Sequence, residues 1–416
     1  MVCSCGVPVF DCKNVCKSLK NRENIEVLQT RQGNELWSRG EREAVMAYQR
    51  CTRCVMDNAS DRTITFDLEG RCNYCSDVLR RMPAEYFPDE EGKQKLDAII
   101  AEVKEQTKND PYDCLVGASG GIDSSYILYL GHQYGLRMLA IHIDDGLDNP
   151  IAVENLRKLT EKTGTELISI SPDRVEYADL LKSLFKASVP NLALGQDNLI
   201  VSALQNYGVR NHIKYSLDGS NFAHESILER DSRGVNFCDK KFLLGVQRRF
   251  GSVPIRKLEL ISLTDRYMKR HIAPMKHIRP LNYVRYNLDD AIHTLEEFCG
   301  FQYYGGKHYE SILTRFLQCY YLPVKFGVDK RKSHFSSLIM SGQMARAEAV
   351  ERLSQPIYPS EELLQEDKKF LADYMGISVA ELDEYVALSP KHEKDYPHSI
   401  LNEMAPVARK FRKLIE

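Results

Sequence analysis

Two groups of residues in this chain have types and spacing suited to chemistry. Cys51-Thr-Arg-Cys54 and Cys72-Asn-Tyr-Cys75 form C-x2-C-x17-C-x2-C, a spacing used by tetrahedral zinc sites. Each C-x2-C turn presents two thiolates to one ion, and the intervening TITFDLEGR resembles a short strand and glycine turn that bring the pairs together. Four sulfur ligands leave no open position for water, so the expected role is structural; an iron–sulfur cluster takes the same ligand set. The second group is Ser119-Gly120-Gly121-Ile122-Asp123-Ser124-Ser125. Its glycines let backbone approach a ligand closely, its amides form an anion nest, and a following helix adds partial positive charge. Pyrophosphate fits such a place, with Ser119, Ser124 and Ser125 donating hydroxyl hydrogen bonds and Asp123 acting through a bridging Mg²⁺. There is no G-x-x-x-x-G-K-[ST], so this is not a Walker loop.

The elements needed to hold these residues are readable. YDCLVGA is a buried-strand run directly before the loop, and DSSYILYLGHQYG is a helix ended by Gly135. RMLAIHI is a second strand, a helix runs from about Pro150 to Gly164, TELISI is a third strand and IKYSLDG a fourth. This alternation predicts an α/β fold, a doubly wound parallel sheet covered on both faces. MPAEYFPDEEGK reads as a linker, followed by an amphipathic helix carrying Leu96, Ile99, Ile100 and Val103. Beyond about residue 255 the strand signal fades. Helices are expected near 287–299, 309–320, 344–354, 360–374 and 378–387, as a tail packed on the sheet domain.

The 416 residues suffice for two or three folding units. With 56 basic and 58 acidic residues the formal charge is −2, which argues against a wholesale nucleic-acid binder. No window has the apolar length of a membrane span, and the N-terminus lacks the apolar core of a secretory signal, so a cytoplasmic protein is expected. In a chain of this kind the 12 cysteines point to metal or catalytic uses rather than to a disulfide framework. Cys3, Cys5, Cys12 and Cys16 match no closed metal site and sit in an irregular extension.

SGGIDSS resembles the S-G-G-x-D-S signature of the PP-loop ATP-pyrophosphatase superfamily. The resemblance implies an adenine-nucleotide α-hydrolase-like domain that cleaves ATP between the α and β phosphates and adenylates a carbonyl oxygen. It implies ATP contacts from Ser119, Gly120, Gly121, Asp123, Ser124 and Ser125. Two further strand ends, AIHIDD and SLDGSN, face the same crevice of a doubly wound sheet. There His142 and Asp144 are placed to border the adenosine, and Gly219, Ser220 and Asn221 the α-phosphate. Equally, His142 suits a plain strand position and Asp144 a helix cap.

The stretch YYGGKHYESILTRFLQCYYLPVKFGVDKRKSHFSSLIMSGQMAR, Tyr303 to Arg346, is densely polar and aromatic. Together with CTRCVMD, CNYC and SGGIDSS, it resembles the N-acetyl sugar amidotransferase family of surface-polysaccharide and O-antigen biosynthesis, over roughly residues 48–390. Membership implies conversion of the acetamido group of a nucleotide-activated sugar to an acetamidino group with ATP and ammonia. Lys307, His308, Lys325, Lys330 and Arg331 are then candidates for the sugar diphosphate or a sugar carboxylate, and Glu310, Asp329 and His334 for proton movement. Asp123, Lys307, His308 and Lys330 are the expected catalytic residues. The expected division is an extension over 1–47, a zinc module over 48–80, the PP-loop domain over 93–255, and a mainly helical substrate-binding and partner region over 256–416.

Glutaminase chemistry needs an activated cysteine, and the chain shows neither G-x-C-x-G nor a cysteine at a processed N-terminus. Ammonia is therefore expected from a separate glutaminase partner, and the family resemblance implies glutaminase and ammonia-channel subunits. The rival reading is a PP-loop tRNA-thiolating enzyme, which also joins a cysteine module to a PP-loop domain but needs reactive cysteines or an iron–sulfur cluster beside ATP. A zinc-bearing scaffold with a degenerate nucleotide site is the third reading.

Overall fold

Cys114-Leu-Val-Gly is apolar and buried, as a central parallel strand must be. It forms β1 (Cys114–Gly117) of a five-stranded sheet with β2 (Met138–Ile143), β3 (Glu166–Ile170), β4 (Tyr215–Leu217) and β5 (Lys276–Ile278). This computed structural model describes residues 47–230 and 234–401; the cysteines at 3, 5, 12 and 16 lie outside the described residues. The strand order is β3-β2-β1-β4-β5 and every pairing is parallel. From β1 the chain passes first to β2 and later crosses to β4 on the other side. The carboxyl end of β1 is thus the topological switch point, where open α/β sheets bind ligands.

Both faces are covered, as expected for a doubly wound sheet. On one, helices Glu90–Gln106, Ile122–Gln133, Pro150–Thr163 and Leu288–Cys299 bury Leu96, Ile127, Leu159 and Leu295 against Val116 and Ala140. On the other, Leu194–Arg210 sets Ala203, Ile200 and Leu204 against Leu115, Leu139 and Ile141.

Two expectations need correction. MPAEYFPDEEGK is mostly helical: Asn73–Glu85 runs through Pro83, and Asp89 caps the helix starting at Glu90 by accepting from the Gly92 amide. β5 lies beyond residue 255, where no strand was expected; with three residues, two of them exposed, it carries no detectable alternation. The tail packs on the sheet domain as expected, much of it through a second core in which Phe316, Tyr321, Leu371 and Leu382 meet Phe185, Leu184 and Phe242. That core draws on both sides of residue 255. Its helical stretch Ile312–Phe326 contains a π turn over Leu317–Tyr321.

Helix Lys330–Met340 was not expected. It packs the cysteine module against the rest of the molecule: Ile339 and Met340 meet the module's Cys51, Met56 and Val78 together with Phe222 and Ile227.

Candidate active site

Strand β1 delivers the chain to Ser119, and the backbone turns at Gly120 with φ +74° before helix Ile122–Gln133 begins. A β-carbon on Gly120 would stand 2.2 Å from the Ala152 carbonyl oxygen, so this turn needs glycine twice over. The loop is braced internally. The Gly121 amide donates to Ser119 Oγ at 3.2 Å, and Ser124 Oγ donates to the Gly121 carbonyl at 3.1 Å and lies 3.2 Å from Ser119 Oγ. Ser125 is buried. From β4, Gly219 lies so close that a β-carbon would be 3.2 Å from the Ser124 nitrogen.

On the β2 side, His142 is buried. Its Nδ1 lies 2.9 Å from the Ala118 carbonyl and its Nε2 3.3 Å from Asp148 Oδ2. Burial works to lower the imidazole pKa, but the Asp148 carboxylate outweighs it and the pKa is raised. Asp144 is exposed, and its amide extends the β2–β3 ladder to Ile170. Of the acids in IDDGLD it is Asp148, not Asp144, that lines the cleft. That cleft, about 550 Å³, opens between Ser119, His142, Gly219 and helix Leu194–Arg210.

Asp123, one residue into the helix, is the hub of a polar cluster on the other flank of the loop. Its Oδ1 accepts from Tyr286 OH at 2.5 Å and from Asn221 Nδ2 at 3.5 Å, and stands 3.9 Å from His224 Nδ1. Lys307 Nζ lies 3.9 Å from Asp123 Oδ2 and 3.1 Å from Glu225. Burial would lower the Lys307 pKa; Glu225 and then Asp123 override it and hold the ammonium charged. Glu310 approaches Gly121, and His308, at φ +64°, stands 3.5 Å from its carboxylate. Burial favours the protonated acid, but His308 and Lys307 keep the Glu310 pKa low. Burial, aided by Lys307, pushes His224 down to about 3, and the neighbouring His334 is held well below the usual histidine range by burial and Lys307.

The structure thus gathers Lys307, His308 and Glu310 onto the loop, with His334 behind His224 at a ring distance of 5.8 Å. It does not gather the others. Lys325 Nζ donates to the Tyr385 and Val386 carbonyls, and burial lowers its pKa to about 8. Asp329 caps helix Lys330–Met340, and Arg331 pairs with Asp329 while donating to the Gln355 carbonyl. Lys330 is paired to buried Glu229 at 2.6 Å. Sequence reasoning missed His224, Glu225 and Tyr286, which lie on elements with no motif. The one available signal was their nearness in sequence to SLDGSN and to the last sheet strand.

The Sγ atoms of Cys51, Cys54, Cys72 and Cys75 all lie within 4.8 Å of one another. Three of the separations are 3.6 to 3.8 Å, close to the roughly 3.8 Å edge of a tetrahedron built on Zn–S bonds of about 2.3 Å. Amides of Arg53, Cys54 and Cys72 point at Cys51 Sγ, the surroundings a thiolate requires. All four residues are fully buried, so the donor set suits an ion closed off from solvent. Lys332, paired with Asp57 at 2.6 Å, connects this region to the helix that also carries His334.

No curated protein matches the chain. Among solved structures, it is similar to an NMN synthetase from Francisella tularensis, at 15% identity, covering 66% of this chain and 97% of that one with a TM-score of 0.32. It is also similar to an NH3-dependent NAD synthetase from Campylobacter jejuni subsp. jejuni, at 17% identity, covering 50% and 83% with a TM-score of 0.26. Starting at Glu310, the residue that closes on the phosphate loop, residues 310–409 match the family model of the LPS biosynthesis protein WbpG-like C-terminal domain.

Proposed function

We propose that the protein is an ATP-dependent ligase of polysaccharide biosynthesis that converts the acetamido group of a nucleotide-activated N-acetyl sugar to an acetamidino group. The observation that carries this reading is the meeting of Lys307 and Glu310, at the start of the C-terminal polar segment, with Asp123 and Gly121 of the phosphate loop. One side of the loop is then suited to ATP and the other to the group that ATP activates.

The amides and hydroxyls of Ser119–Ser125 hold the β and γ phosphates, and the adenosine lies along the cleft toward His142. Asp123 would hold Mg²⁺, which supplies charge neutralisation on the phosphates. The acetamido oxygen attacks the α-phosphorus, the bond from it to the β-phosphate oxygen breaks, pyrophosphate leaves, and the amide nitrogen loses its proton. An amide is a poor electrophile, whereas the resulting O-adenylyl imidate has a good leaving group. Ammonia then attacks the imidate carbon, the C–O bond to AMP breaks, and one proton is lost. Lys307, held charged between two carboxylates, offsets negative charge near the α-phosphate. Glu310, held ionised, accepts the proton released by the entering nitrogen, with His308 orienting it.

Ammonia comes, on this reading, from a separate glutaminase partner. The thiols of Cys114 and Cys238 are buried and pushed up by burial, which suits neither glutaminase nor sulfur-transfer chemistry. Among the described residues no helix is long and apolar enough to cross a membrane. The test incubates the purified chain with ATP, ammonium and a panel of nucleotide sugars, following pyrophosphate and the sugar's mass. AMP, pyrophosphate and replacement of one oxygen by NH are expected, faster as alkaline pH raises free NH3, and not with glutamine alone. Pyrophosphate release driven by tRNA and by no nucleotide sugar would overturn the reading in favour of thiolation.

A further inference from the structure

The cleft at the strand ends has two unlike walls. Toward β2 it is lined by Ile141, Ile143 and Ile200 and ends at the His142–Asp148 pair. Toward β4 and β5 it is lined by three arginines: Arg266 and Arg270 on helix Leu263–Ile272, and Arg279 just past β5. Because β2 and β4 lie on opposite sides of β1, the two walls flank the phosphate loop from opposite sides. Arg266 and Arg270 are four residues apart and so share one helix face.

These arginines are not consumed by the fold. Arg266 stacks over Phe237 at 5.1 Å, and its Nη1 reaches only the Cys238 sulfur at 3.7 Å. Its Nε is buried and, among the described residues, has no hydrogen-bond partner. A buried guanidinium N–H without an acceptor is costly, and an oxyanion entering the cleft removes that cost. Arg270 is exposed to the cleft, and Arg279 is only loosely paired, 3.8 Å from Asp218. Of the cleft's two lining carboxylates, Asp218 offsets only Arg279, and Asp148 is engaged by His142 on the far side, so the wall keeps a net positive charge.

ATP has no use for them: its phosphates have the loop, and its adenosine is uncharged. A second polyphosphate in the same cleft would be repelled by ATP unless it had cations of its own. We propose that Arg266, Arg270 and Arg279 bind the diphosphate of a second nucleotide, that of the nucleotide-activated sugar, beside the ATP site. Its identity as a sugar carrier rests on the ligase reading; the existence of the anion site does not. The arginines take the task that sequence reasoning gave to Lys325 and Arg331, whose donors are held by carbonyls and Asp329.

The test is calorimetric titration of the full-length chain, its ATP site filled with α,β-methylene-ATP, with UDP, GDP, CDP and dTDP. At least one is expected to bind, with affinity reduced about tenfold or more in Arg266→Ala/Arg270→Ala and less so in Arg266→Ala/Arg270→Lys, while affinity for the ATP analogue stays within about twofold. Should the double variant not fold, the exposed Arg270→Ala carries the same test. The site is refuted if no nucleoside diphosphate binds, if binding is unchanged in the variants, or if the diphosphates and inorganic pyrophosphate compete with the ATP analogue, since the arginines would then serve ATP. Arginine-dependent binding in a protein that releases no pyrophosphate from ATP would keep the site and remove the ligase reading. Amidation with an unchanged KM for the nucleotide sugar in the variants would do the reverse.

Discussion

The carboxyl group of Glu310 rests against Gly121: a β-carbon on that glycine would stand 3.0 Å from it. A residue from the C-terminal third therefore closes on the phosphate loop only because the loop has no side chain there.

Gly121→Ala should displace that carboxylate with little backbone strain, since φ at this position is −74°. Pyrophosphate release is expected to fall on the order of tenfold, about 1.4 kcal/mol in barrier, with an unchanged melting temperature. Gly120→Ala should behave differently, losing stability as well as turnover. It combines a left-handed conformation costing about 1–2 kcal/mol with contact against the Ala152 carbonyl. Equal melting temperatures for the two variants would contradict this.

Asp123→Asn should reduce pyrophosphate release by about 10²-fold or more while circular dichroism stays native. The asparagine oxygen still accepts from Tyr286, but the charge facing Lys307, and with it the carboxylate that would hold Mg²⁺, is gone. Wild-type turnover in this variant would remove Asp123 from the reaction.

Metal analysis should find stoichiometric zinc in a colourless protein, and Cys72→Ser should lose it together with several degrees of melting temperature. A brown protein would instead indicate an iron–sulfur cluster. Metal loss at constant stability would defeat the structural assignment.

His224, pushed down to about 3, gives a signed pH dependence. Its folded pKa lies below the unfolded value near 6.5, so between the two the unfolded chain binds the extra proton. The stability associated with neutral His224 is complete above pH 6.5 and is lost as pH falls toward 3. Between pH 7 and 5 the loss attributable to His224 is about 2 kcal/mol. Urea denaturation of wild type and His224→Gln at both pH values should show the variant losing less; identical losses would place His224 in contact with water.

What was legible in the sequence was what is local. The four cysteines and SGGIDSS are contiguous patterns whose geometry follows from their own turns, and β1 to β4 are apolar runs between strong helix boundaries. β5 was missed because an edge of three residues has too few side chains to alternate. Choosing Asp148 over Asp144 requires knowing where the chain turns after β2. The charges of the 325–334 segment look alike in sequence. Only packing reveals that Lys330 is paired to Glu229 and Arg331 holds carbonyls, while Lys307 faces the phosphate loop.

Arg346 donates to the carbonyls of Cys51 and Cys54, and Ser336 accepts from the Val55 amide. These bonds join residues 281 to 295 positions apart, which imposes an order on biogenesis. During synthesis the cysteine knuckle emerges before the sheet domain, whereas the helix that roofs it leaves the ribosome only after the whole sheet domain. Until then Phe222, Ile227 and the knuckle expose an apolar surface awaiting a cover. Chains truncated before residue 330 should therefore bind zinc yet aggregate, the segment carrying Ser336, Ile339, Met340 and Arg346 acting as an intramolecular chaperone for the knuckle.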